Sequence, residues 1–160
     1  MVSWIVTFLV VYALFSVSGV LFPVDRPWYA SLNKPAWNPP APLFGVVWGI
    51  LYALIALSVT IVYHRTDSFQ TASAFYVTVL FVNYVANQAF SFFQFKLHSL
   101  TLAFWDTLLV AVTTFLLLVA TIPYSKAAAW LLVPYLLWTC FATFLAWTIL
   151  RLNPQEARAS

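Results

Sequence analysis

The chain has 160 residues, of which 64% are hydrophobic and only 7% charged, with a formal net charge of +3. A soluble domain carries about 25% charged residues, so this composition excludes one and points to a membrane protein with no nucleic-acid partner. The single cysteine, Cys140, excludes an intrachain disulfide and a multi-cysteine metal site, and His64 and His98 are the only histidines.

The first apolar window runs from about residue 2 to 22. It lacks a basic segment and a small-residue cleavage pattern, so it reads as retained. Further windows cover about 43–63, 72–95, 99–122 and 127–150, each near the roughly 20 residues that span a bilayer. In lipid each segment must satisfy its own backbone hydrogen bonds, so these windows are helices. The expected fold is an all-α integral membrane protein: one domain over residues 1–160, built as a bundle of five transmembrane helices. Short connections make windows two to five antiparallel neighbours in sequence. Loop charges set the orientation. Arg26, Lys34, Lys96, Arg151 and Arg158 fall on one side, and Arg65 and Lys126 on the other. The positive side is cytoplasmic, which puts the N-terminus outside and the C-terminus in the cytoplasm. With no evident targeting segment, a bacterial plasma membrane suits the chain.

Between the first two windows, residues 23–42 hold six of the nine prolines, together with Trp28, Tyr29 and Trp37. Proline removes amide donors and fixes φ, so no long helix forms there and the segment is a stiff loop. A rigid aromatic loop between greasy helices is placed to cap something.

In the second window, Gly45 and Gly49 fit a GxxxG pattern, read as close packing inside the bundle, and Trp48 and Tyr52 share a face. In the third, Asn83, Asn87, Ser91 and Gln94 form a polar stripe with Phe90 in its middle. Amides in hydrocarbon need partners, so this face points inward. It serves either hydrogen bonding between helices or the lining of a pocket for a largely apolar ligand. In the fourth window Asp106 is the one intramembrane acid, either functional or hydrogen-bonded near the interface. In the fifth, Pro134 should bend the helix or free a carbonyl one turn earlier. Trp138 lies well inside the span, away from the interfacial belt where tryptophan is usual. Ala142 shares its face, while Cys140 is on another.

Trp28-Tyr29-x-x-Leu32-x-Lys34-Pro35-x-Trp37-x-Pro39-Pro40, Val47-Trp48-x-x-Leu51-Tyr52, Asn83-x-x-x-Asn87-Gln88 and Pro134-Tyr135-x-x-Trp138 together resemble the translocator protein family. That family is also called tryptophan-rich sensory protein or peripheral-type benzodiazepine receptor. The resemblance spans nearly the whole chain. It implies a five-helix bundle, often a homodimer, with a ligand pocket opening toward the first loop. It also implies a receptor for porphyrins (protoporphyrin IX, haem) and for isoquinoline carboxamide or benzodiazepine ligands. The alternative is a transporter of tetrapyrroles or other small hydrophobic molecules. Trp48, Asn83, Asn87, Trp138 and Ala142 match pocket-lining positions, joined by Tyr52 and Phe90 from the residue reading. Tyr29, Trp37 and Pro39 match the covering loop. Some relatives degrade protoporphyrin IX in light and oxygen, which implies Trp48 and Trp138 as candidate catalytic residues. No acid–base pair or nucleophile constellation is visible, no cofactor is obligatory, and porphyrin is ligand or substrate. The sterol-binding pattern of the family requires a tyrosine where this chain has Trp147, so the chain departs from that pattern there.

Overall fold

The computed structural model describes residues 2–159, without the side chains of 157–159. Among these residues the regular structure is entirely helical. In chain order the elements are α1 (Trp4–Leu21), α2 (Arg26–Ser31), α3 (Ala41–Arg65) and α4 (Ala74–Ser91), which runs on as a π-helical turn, Phe92–Lys96. Then come α5 (Leu100–Thr121), α6 (Lys126–Leu131), α7 (Val133–Leu152) and α8 (Pro154–Ala159).

Helix starts follow local chemistry. The hydroxyls of Ser3, Ser73, Ser99 and Ser125 each accept from the amide three residues on, opening α1, α4, α5 and α6. Asp25 does the same for α2. These caps satisfy amides that would otherwise have no partner, a contribution of about 1 kcal/mol each. The proline-rich segment is not bare loop, because α2 forms inside it, with Pro27 in its first turn where a missing N–H costs nothing. As expected from Pro134, the last apolar stretch breaks, at Leu132, because Pro134 has no N–H to return to the Trp130 carbonyl. The connection from α3 to α4 carries three successive left-handed residues, Asp67, Ser68 and Phe69 (φ 49°, 60° and 69°).

Four stretches are long and apolar enough to cross a membrane: Trp4–Leu21, Ala41–Arg65, Leu100–Thr121 and Lys126–Leu152. Helix α4 is as long as α1, at 18 residues, but carries Asn83, Asn87 and Gln88 and is less apolar. The surface is inverted relative to a soluble protein. Val20, Trp130 and Ile5 are 79%, 72% and 71% exposed, whereas Asn83, Thr114, Thr121 and Thr139 are buried. An outward apolar face of this extent is solvated by lipid, and the chain is an integral membrane protein.

Helix α5 is the centre of the bundle, packing on α4 along one side and on α7 along the other, with α1 against α3 and α3 against α6. A polar chain ties four helices together. Asn83 Nδ2 donates to Thr113 Oγ1 and Thr114 Oγ1 of α5, at 2.9 and 3.0 Å. The Tyr135 hydroxyl of α7 donates to Asn83 Oδ1 and accepts from Asn87 Nδ2, both at 3.1 Å. Gln88 Nε2 donates to Asn87 Oδ1 and to the Phe15 carbonyl of α1, and its Oε1 accepts from the Ser18 amide. Away from water each such group needs its partner, so the chain fixes how the helices register.

Candidate functional site

A cavity of about 470 Å³ opens between α1, α3, α4, α5 and α7 at the end of the bundle occupied by the proline-rich segment. Its walls are aromatic: Phe44, Trp48 and Tyr52 from α3, Phe90 and Phe95 from α4 and its π turn, and Trp138 from α7. Phe44 meets Trp138 edge-on at 5.9 Å, and Trp48 leans on Tyr52 at 5.5 Å and on Tyr135 at 6.3 Å. The chain has three glycines, and all three line this space. A Cβ on Gly19 or Gly45 would meet nothing within 4 Å, and one on Gly49 would meet only the Tyr12 hydroxyl at 3.9 Å. The Gly45–Gly49 pair therefore does not serve close helix packing, as the pattern had suggested. It leaves room beside Trp48.

The polar stripe of α4 divides. Asn87, Ser91 and Gln94 line the cavity. Asn83 does not: it is fully buried one turn deeper, with its amide engaged by α5 and Tyr135. Trp48, Tyr52, Phe90, Trp138, Ala142 and Tyr29 all border the cavity, whereas Trp37 and Pro39 stand away from it. Trp37 instead stacks on Phe144 of α7 at 5.4 Å, with planes 12° apart, and remains 45% exposed. The indole nitrogen of Trp138 is buried without a partner among the described residues, although the ring faces the cavity. Asp106 is 7% exposed with one carboxylate oxygen likewise unpartnered, and it does not line the cavity.

The proline-rich segment is fastened to the bundle at several points. Leu32 is buried against Leu100 of α5 and against Leu145 and Ile149 of α7. Asn33 and Asn153 pair reciprocally: the Asn33 amide donates to Asn153 Oδ1 (2.9 Å), and Asn153 Nδ2 donates to the Asn33 carbonyl (2.8 Å). His98 stacks on Trp28 at 4.3 Å, and its Nε2 lies 3.0 Å from Asp25 Oδ2. Lys34 Nζ donates to the Tyr29 and Leu32 carbonyls at 2.7 and 2.9 Å, closing the end of α2. Tyr29 reaches the cavity under this cover. Burial raises its hydroxyl pKa, against the hydrogen bond it donates to Asn38.

These are the positions at which the sequence carries its most distinctive residues. The sequence profile described as the TspO/MBR family matches residues 5–152. The chain belongs to the TspO/MBR family. Among relatives in the family, a tryptophan-rich protein TspO of Bacillus cereus is 50% identical over 151 residues, covering 94% of this chain and 97% of the relative. The membrane protein YtaB of Bacillus subtilis is 51% identical, covering 95% and 97%. The human translocator protein is 35% identical over 127 residues, covering 79% of this chain and 75% of its own.

Among the described residues no three His, Cys, Asp or Glu side chains come together. His64 stacks on Trp4 at the far end of α3, and neither histidine lines the cavity. Sequence reasoning missed Tyr12 and Gly19 of α1, because that helix is apolar on every side and marks no face as special. It also missed the π turn, which no proline or glycine announces.

Proposed function

We propose that this protein is a membrane receptor for flat, largely apolar ligands of tetrapyrrole size, protoporphyrin IX and haem among them. Isoquinoline carboxamides and benzodiazepines are ligands of the same cavity. The observation that carries this reading is the composition of the cavity wall. Aromatic side chains line the same space as every glycine of the chain, each of which withholds a side chain. At about 470 Å³ the space suits a ligand of drug size, since such sites run about 300–1,000 Å³. Trp48 and Trp138 offer ring faces for stacking, and Asn87, Ser91 and Tyr29 offer hydrogen bonds. Neither histidine nor Cys140 borders the space, so binding is by shape and holds metal-free porphyrin as readily as haem.

On this reading α1, α3, α4 with its π turn, α5 and the α6–α7 pair are five spans. Asn83, Asn87 and Gln88 depress the apolarity of α4, but their amides are engaged inside the bundle. The proline-rich segment and the C-terminus face the cytoplasm and the N-terminus lies outside, in keeping with the loop charges. Assembly into a homodimer belongs to the same proposal.

Light- and oxygen-driven breakdown of bound porphyrin is a second reading, favoured by the placement of Trp48 and Trp138 on one cavity. Dioxygen is the oxidant, the pigment absorbs the light, and the two indoles exchange electrons with it. Ion-coupled transport is less favoured, because among the described residues no charged side chain lines the cavity.

Titration of the purified protein with protoporphyrin IX in darkness tests the receptor reading. Saturable quenching of tryptophan emission is expected, and its absence overturns the reading. Illumination of the same complex tests turnover: product must accumulate over many equivalents of protein.

A further inference from the structure

Among the described residues, Trp138 alone borders two separate spaces. One is the cavity between the helices. The other is a groove of about 420 Å³ between α3 and α7. The groove is apolar: Ile50 and Leu54 stand on its α3 side, Pro134, Leu137 and Phe141 on its α7 side. Ile50 and Leu137 are 57% and 66% exposed and sit near the middle of their spans, so the groove faces the lipid chains. The wall between bilayer and cavity is therefore one side chain thick at Trp138.

That side chain is lightly held. A buried indole N–H usually finds a partner that fixes the ring, and Trp138 Nε1 has none among the described residues. Its neighbours are aromatic rings. Phe44, on the cavity side, meets it edge-on at 5.9 Å, and Phe141, on the groove side, lies tilted at 5.3 Å. Such contacts are non-directional and re-form in another rotamer. The two helices are also loosely joined at this level. Ser58 Oγ donates to the Ala128 carbonyl and ties α3 to α6, but among the described residues no hydrogen bond ties α3 to α7. The helix break at Leu132 lies less than two turns before Trp138, so the segment that carries the ring starts at an interrupted hydrogen-bond ladder.

The covered end of the cavity differs in kind. It is fastened by the Asn33–Asn153 pair and by the His98 contacts, and these polar groups stand at the water side of the bundle. Carboxylate-bearing ligands suit that end. Uncharged apolar molecules concentrate in the bilayer instead, and there they meet the groove.

We propose that the α3–α7 groove is a second entrance to the cavity, through which uncharged apolar molecules pass directly from the lipid, and that the Trp138 ring is its door. The purpose of the entrance rests on the reading of the cavity as a ligand site.

A buried reporter tests it. Gly49 lines the cavity and not the groove, and a Cβ there meets only the Tyr12 hydroxyl, so Gly49→Cys in a Cys140→Ala background places a thiol in open cavity space. The full-length protein in lipid nanodiscs is labelled with N-(1-pyrenyl)maleimide, a neutral reagent that dissolves in the bilayer. Ile50→Trp and Leu137→Trp each fill the groove from opposite sides. Either should slow labelling about tenfold, the scale on which a closed route lowers an association rate. Trp138→Ala should quicken it by about threefold or more, and His98→Ala should leave it unchanged. An unaltered thermal unfolding midpoint certifies the fold of each variant, and two filling positions guard against failure of one. Three results overturn the proposal: no labelling of Gly49→Cys from the bilayer, labelling at the unfilled rate in both filled variants, or labelling quickened by His98→Ala and not by Trp138→Ala. Protoporphyrin IX is titrated in parallel. If it binds while filling the groove changes nothing, the entrance is wrong and the receptor reading stands. If labelling depends on the groove and porphyrin does not bind, the entrance stands and the receptor reading falls.

Discussion

Tyr135 donates its hydroxyl proton to Asn83 Oδ1 across the α4–α7 interface, at 3.1 Å, and both residues are completely buried. The same hydroxyl accepts from Asn87, the amide on the cavity wall. Tyr135 therefore joins a purely internal amide to one that faces the ligand space. It decides the ambiguity of the polar stripe residue by residue: Asn83 holds helices together, and Asn87 stands at the boundary.

This assigns different consequences to the two ends of the stripe. Asn83→Leu leaves Thr113, Thr114 and the Tyr135 hydroxyl short of a partner and should destabilise the bundle by about 2–3 kcal/mol. Porphyrin affinity of the folded fraction should change less than threefold. Thermal unfolding in detergent, followed by a dark titration, measures both. A large affinity loss without loss of stability would place Asn83 in direct contact with the ligand.

The glycine wall makes an opposite expectation. Gly49→Leu places a branched side chain where only the Tyr12 hydroxyl stands near. It should leave stability unchanged or raise it, because leucine replaces glycine within a helix at a gain of about 0.5–1 kcal/mol. Protoporphyrin IX affinity should fall at least tenfold. If affinity persists while stability is intact, the ligand lies elsewhere.

The cover is held in part by His98. Removing its ring frees both the stack on Trp28 and the bond to Asp25. A solvent-exposed polar contact of this kind contributes only about 0–1 kcal/mol, so His98→Ala should unfold nothing. Its effect should fall on exchange: faster release of bound porphyrin in stopped-flow displacement, by about threefold to tenfold if the stack and the bond together hold about 1 kcal/mol. Unchanged release would mean that Leu32 and the Asn33–Asn153 pair secure the segment alone.

Five spans require Ser31 and Gln70 to lie on opposite sides of the membrane. Single cysteines at these exposed positions, in a Cys140→Ala background, should be labelled from opposite faces of intact cells. Labelling of both from one side would remove α3 as a span.

Strain in the α3–α4 connection can be read directly. Ser68 is exposed at φ 60°, a region that L-residues enter at a cost of about 1 kcal/mol and glycine enters freely. Ser68→Gly should raise or preserve stability despite the added freedom of the unfolded chain. Clear destabilisation would mean that the serine side chain holds the turn.

The sequence by itself determined the environment and the helices. Lipid offers no hydrogen bonds, so apolar runs of about 20 residues have one backbone solution, and six prolines within 20 residues end the first run whatever surrounds them. The break near Pro134 is equally local, since the missing N–H is a property of the residue. The motif spacing also carried the family resemblance. Only the tertiary structure decided what each inward side chain meets. Asn83 and Gln94 share a stripe, yet one meets Thr113, Thr114 and Tyr135 while the other borders the cavity, because what stands across from each position is set by neighbouring helices. Gly45 and Gly49 could equally have let two helices touch. They border a cavity because Trp48, Trp138 and Phe44 hold the neighbouring walls apart, and a cavity is a sum of absences over five elements that no single segment encodes.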